Sequence, residues 1–162
     1  MREKVLVIGL GEIGRPLLEL LQESGEFVVY GYDIAEEKMH EIGSAGIPEK
    51  VDVMHICYPC TDAEKFVKDT IDYVKRFKPK LTIVESTVPP GTVWKIYEST
   101  RCLIAHSPIR GVHLNVESMK QELKSWKKYV GGVDLDSAEY ARIHFEKMGL
   151  RVNVLRSPFE TE

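Results

Sequence analysis

No apolar run in this sequence of 162 residues approaches the roughly 20 that a bilayer-spanning helix needs, so no membrane partner is expected. Cysteine is scarce. The three present, Cys57, Cys60 and Cys102, are an odd number and do not suggest a disulfide framework. An excess of basic residues is missing too: 22 Lys and Arg against 25 Asp and Glu leave a net charge of −3. A broad basic surface for nucleic acid is therefore not expected. The opening MREKVLVIG enters a strand pattern at once and leaves no room for a signal peptide, which points to a cytoplasmic protein. Repeats, low-complexity tracts and internal linkers are also absent. What remains is the length and composition of a single α/β domain with a sizeable core.

The chain is organised around Val5–Leu21, VLVIGLGEIGRPLLELL. The apolar run Val5-Leu6-Val7-Ile8 stops at Gly9, and G-x-G-x-x-G follows through Gly11 and Gly14. A helical pattern then places Ile13, Leu17, Leu20 and Leu21 on one face. Strand, glycine turn and helix in that order are the context that gives the motif meaning. Gly9 permits a tight turn, Gly11 has no side chain to hold a pyrophosphate off the backbone, and Gly14 allows close packing of helix on strand. The helix start points unpaired N–H groups at the phosphates. A second strand, Phe27–Tyr32, runs into Asp33, about 20 residues past the glycines, where an acid would bind the adenosine ribose hydroxyls. This is a dinucleotide site. An acid at that position would repel a 2′-phosphate, so NAD is expected over NADP.

The rest of the chain alternates strands and helices. Expected strands cover Val51–Cys57, Leu81–Val84, Cys102–Ala105, Tyr129–Val130 and Arg151–Leu155. Helices are expected at Ala35–Ser44, with its exit turn at Gly43–Pro48, and after a capping box at Thr61–Glu64. Others should follow Ser86–Thr92, carry Val116, Met119, Leu123 and Trp126, and start from a cap at Asp136–Glu139. The alternation predicts a doubly wound parallel sheet, the Rossmann fold, over residues 1–156. The segment 157–162, SPFETE, reads as a frayed tail or the start of a linker.

Three stretches together resemble the N-terminal domain of the UDP-glucose/GDP-mannose dehydrogenase family. They are VIGLGEIGRPLLELL with Gly31-Tyr32-Asp33, STVPPGT at Ser86–Thr92, and SPIRG at Ser107–Gly111 followed by KYVGG. The resemblance implies an oxidoreductase acting on CH–OH with NAD, on a small-molecule substrate such as a nucleotide sugar. It implies that STVPPGT lies over the nicotinamide side, with Thr87 contributing to the active site. The family usually has an acid after the Ser-Pro or Asn-Pro of the third motif; here Ile109 and Arg110 follow. The family's nucleophilic cysteine, its central dimerisation helix and its sugar-binding domain have no counterpart in these residues. The expected cofactor contacts are Gly9, Gly11, Glu12, Ile13, Gly14, Asp33, Ile34, Tyr58, Pro59, Ser86 and Thr87.

In the loop His106–His113, three ionisable side chains follow the fifth strand. Arg110 is a candidate for binding an anionic substrate, and His106, ahead of His113, for taking a proton near neutral pH. With Thr87, His106 and Arg110 make up the candidate catalytic set; the alternative is a surface loop whose arginine pairs with a carboxylate. Cys57 and Cys60 have C-x-x-C spacing but no second pair, and are read as lining the adenine side rather than binding metal. Trp94, Tyr97, Trp126 and Tyr129 offer aromatic surface that a homo-oligomer interface could use. Two function classes fit: an NAD-dependent dehydrogenase, or a dinucleotide-binding module serving as sensor, scaffold or subunit.

Overall fold

The computed structural model describes residues 1–42, 46–111 and 114–162. Strands β1 (Glu3–Ile8), β2 (Phe27–Tyr32), β3 (Val53–Ile56), β4 (Leu81–Val84), β5 (Leu103–His106), β6 (Lys127–Gly132) and β7 (Arg151–Val154) form one sheet. Its order is β2-β1-β3-β4-β5-β6-β7. Helices α1 (Gly14–Ser24), α2 (Glu36–Ile42), α3 (Ala63–Phe77), α4 (Thr92–Thr100), α5 (Val116–Ser125) and α6 (Leu135–Lys147) connect them.

Period-two alternation divides the core. Val5 and Val7 face one side, where Leu17 and Leu21 of α1, Met119 of α5 and Phe145 of α6 pack. Leu6 and Ile8 face the other, against Phe66 and Phe77 of α3 and Ile96 of α4. The helices therefore cover both faces, as a doubly wound sheet requires. From β1 the chain crosses to β2 on one side and then returns past β1 to β3 on the other. That reversal opens a crevice at the carboxyl ends of β1 and β3, the place where ligands bind in open α/β sheets.

Three local expectations are corrected. The sheet is not wholly parallel: β6 runs antiparallel to β5, and β7 then runs parallel to β6. The caps of α3 and α6 are Asp62 and Asp134, which accept from the amides of Lys65 and Ser137, so the expected boxes at Thr61 and Asp136 are displaced. Each of these aspartates stands immediately before a turn whose third amide lies within reach of its short carboxylate. The expected exit turn at Gly43–Pro48 falls partly outside the described residues.

The tail is the third correction. Pro158–Glu160 form a 3-10 turn, and Pro158 is buried. Gly131, in KYVGG, makes the seat: a Cβ there would lie 2.4 Å from the Ser157 carbonyl oxygen. Glu162 then accepts from the amides of Gly91 (2.7 Å) and Val93 (2.8 Å) at the start of α4. A carboxylate on free N–H groups at a helix N-terminus is favourable by charge as well as by hydrogen bonding.

Candidate functional site

The glycine turn is fixed by close approach. Gly9 has φ +89°, and a Cβ on it would lie 2.6 Å from the Tyr58 amide nitrogen. A Cβ on Gly14 would lie 1.7 Å from the Gly9 carbonyl oxygen. Gly11 differs, because a Cβ there meets nothing within 4 Å. Its bareness has no packing reason within the protein, so it fits a turn that admits a ligand's phosphates to the backbone. Gly11 and Glu12 are exposed and Ile13 is half-buried at the start of α1.

Asp33 stands at the carboxyl end of β2. Its Oδ2 accepts from the Leu10 amide (2.7 Å) and its Oδ1 from the Ala35 amide (2.9 Å), with Lys38 Nζ 3.6 Å away. Burial works to raise the carboxyl pKa, but the Ala35 and Leu10 amides and Lys38 outweigh it and hold the group below its ordinary value. It is therefore an anchored carboxylate with acceptor capacity to spare for hydroxyl donors. Gly9, Asp33, Ile34 and Tyr58 line one cleft of about 510 Å³, which Tyr32, Tyr73 and Arg76 also border. Ile34 is 85% exposed, an apolar side chain standing free at the cleft wall. Pro59 is exposed beside Tyr58, whose hydroxyl lies 2.6 Å from Thr70 Oγ1. Tyr73 and Arg76 carry no motif, and only the tertiary approach of α3 to Tyr32 reveals them.

Cys57 is buried beneath the turn, where the Cβ of a residue at 14 would come within 3.1 Å of its own Cβ. It does not line the adenine side as expected. Burial pushes the thiols of Cys57, Cys60 and Cys102 upward, which keeps them protonated.

At the other half of the crevice, Ser86 is buried and donates from Oγ to the Tyr58 carbonyl (2.6 Å), while Thr87 is exposed. His106 is fully buried, with Nε2 3.0 Å from the Ser86 carbonyl and Nδ1 2.9 Å from Thr161 Oγ1. A carbonyl only accepts, so Nε2 carries the proton, and Nδ1 of the neutral ring shares the single Thr161 hydroxyl proton with the Pro158 carbonyl, also 2.9 Å from that oxygen. Burial holds its pKa below the ordinary value. The expected proton acceptor thus has both nitrogens occupied and no open face, because the tail covers it. Arg110 is exposed and lies over the Tyr129 ring at 4.6 Å, and among the described residues no carboxylate forms an ion pair with it. Ile109, where the family usually has its acid, is buried in the core. His113 lies outside the described residues.

Sequence reasoning missed a buried polar cluster behind these loops. It comprises Glu85 and Lys128, an ion pair at 2.6 Å, with His55 and His144. Each sits in a strand or helix pattern that reads as ordinary core or surface, so no spacing signal marks it.

No protein-family model matches the chain. It is 32% identical over 184 residues to the UDP-N-acetyl-D-mannosamine dehydrogenase of Methanocaldococcus jannaschii, covering 89% of this chain and 42% of that protein. Among solved structures, the UDP-N-acetyl-mannosamine dehydrogenase of Staphylococcus aureus superposes with a TM-score of 0.77 at 22% identity, covering 98% of this chain and 48% of that one. The UDP-glucose dehydrogenase of Pyrobaculum islandicum gives 0.73 at 17%, covering 99% and 47%. The chain is a homologue of the N-terminal domain of the UDP-glucose/GDP-mannose dehydrogenase family. It spans less than half the length of these relatives.

Proposed function

We propose that the chain is the NAD-binding domain of a nucleotide-sugar dehydrogenase. The observation that carries this reading is Asp33, held by the Leu10 and Ala35 amides beside a glycine turn at the β1/β3 switch point. The α1 N-terminus and the bare backbone at Gly11 would receive the pyrophosphate, and Asp33 the adenosine ribose. Bound NAD supplies the hydride acceptor. Thr87, exposed at the carboxyl end of β4, would position water or substrate, and Arg110 would bind an anionic group of a nucleotide sugar. His106 serves as a strut between Ser86 and Thr161, so the proton acceptor in this reading comes from outside the described residues. Chemical-shift mapping with NAD⁺ tests the assignment. Shifts should concentrate at Gly9–Gly14, Asp33 and Ile34; shifts confined to other parts of the chain would contradict it.

Among the described residues no helix is long and apolar enough to cross a membrane. A cytoplasmic location remains part of the proposal. So does self-association, supported by Trp126, which is 57% exposed at the end of α5. Sedimentation equilibrium showing monomer alone would count against the latter.

A further inference from the structure

Four buried polar side chains from β3, the end of β4, β6 and α6 form one connected chain behind the loops that carry Thr87 and Arg110. Lys128 Nζ donates to Glu85 Oε2 and to the Ser107 carbonyl, both at 2.6 Å. Glu85 Oε1 accepts from His55 Nδ1 at 2.8 Å, and His55 Nε2 meets His144 Nε2 at 2.9 Å. Burial disfavours the charge on Glu85, but Lys128 and His55 outweigh it and hold the carboxyl below its ordinary value. With Nδ1–H of His55 given to the carboxylate, one proton lies between the two Nε2 atoms of His55 and His144. His144 Nδ1 then has no partner, and burial keeps that ring neutral.

A buried ion pair is a weak way to stabilise a fold, because desolvation offsets most of the attraction. Apolar residues of similar volume would join β4 to β6 as well. They could not, however, bind a loop carbonyl. Glu85 immediately precedes Ser86 and Thr87, and Ser107 precedes Pro108, Ile109 and Arg110. The same two loops share a backbone bond from the Ile109 amide to the Glu85 carbonyl at 3.1 Å. Ser107 Oγ also donates to the Tyr129 carbonyl at 2.8 Å. Lys128 is thus the one side chain in this cluster that grips both loops.

We propose that Lys128 is a positioning residue: held between the Glu85 carboxylate and the Ser107 carbonyl, it sets the Ser86–Thr87 loop against the Ser107–Arg110 loop and so shapes the reactive-end half of the crevice. The inference rests on the cofactor reading above. Lys128 acts through the loops, and its loss loosens the surface that receives the nicotinamide while leaving the Asp33 half intact.

Calorimetric titration of the full chain with NAD⁺ and with ADP-ribose, which lacks the nicotinamide, tests this. Lys128→Met should weaken NAD⁺ by roughly tenfold and leave ADP-ribose within about twofold. Lys128→Arg, whose guanidinium can reach both acceptors, should recover most of the NAD⁺ affinity. If Lys128→Met does not fold, Glu85→Gln/Lys128→Met removes both charges together and should show the same selective loss. Equal loss for the two ligands, or no loss for either, would overturn the proposal and leave the cofactor reading standing. A wild-type chain that binds neither ligand would overturn both.

Discussion

The imidazole of His106 stands 2.9 Å from the hydroxyl of Thr161, a contact that ties the Pro158–Glu160 turn to the end of β5. Removing the ring strands the buried Ser86 carbonyl as well. His106→Ala should therefore destabilise the fold by about 1–3 kcal/mol, the range for leaving buried hydrogen-bonding groups unpaired. Urea unfolding measures this. An unchanged midpoint would show that the ring is not a strut.

Stability should fall with pH below about 6.5, the ordinary histidine value. Burial holds His106 below that value and His144 well below it. Above the window both states are neutral. As pH falls through it, the unfolded chain takes up protons that the folded chain refuses, which favours unfolding. The lowered carboxyls of Asp33 and Glu85 do not act here, since their contribution is lost only below about pH 4. Denaturation curves at pH 7.5 and 5.5 should differ, and His144→Phe should flatten the difference. Identical curves for the wild type would refute this.

Two glycines should separate folding from binding. Gly14→Ala places a methyl 1.7 Å from the Gly9 carbonyl oxygen and should disrupt the turn itself. The Cβ of Gly11→Val would meet nothing within 4 Å in the protein, so its melting temperature should stay near wild type while NAD⁺ affinity drops at least roughly tenfold. Circular dichroism melts with calorimetry decide the pair. A Gly11→Val protein that binds like wild type would remove the pyrophosphate from that turn.

These contrasts show what was legible in the sequence. The glycine turn and Asp33 could be read because each answers to a local rule of spacing within one β-α-β unit. The doubly wound order followed from alternation, although nothing local announced that β6 runs antiparallel to β5. His106 reads as a loop base because the residues that follow it are loop residues, whereas its partners lie 20 and 55 residues away. The tail hides its packing for the same reason: polar SPFETE looks unfolded until Gly131 provides its seat and α4 its free amides. Glu85 and Lys128, 43 residues apart, meet only in the folded sheet.

The 162-residue chain should produce no NADH from UDP-glucose or UDP-N-acetyl-D-mannosamine. His106 has no free nitrogen, and burial keeps all three thiols protonated, so none of them stands ready as the nucleophilic cysteine that the family resemblance associates with this oxidation. Absorbance at 340 nm follows the reaction. Two NADH per sugar would contradict this account of the site, and one NADH lost in His106→Ala would reinstate the histidine as proton acceptor.

The central claim is that Asp33 makes this crevice a site for NAD, and calorimetric titration with NAD⁺ and NADP⁺ tests it most directly. An anchored carboxylate accepts ribose hydroxyls and repels a 2′-phosphate. The wild-type chain should bind NAD⁺ more tightly than NADP⁺ by at least roughly tenfold, and Asp33→Ala should narrow that ratio. Equal or tighter binding of NADP⁺, or a ratio that Asp33→Ala leaves unchanged, would contradict the claim.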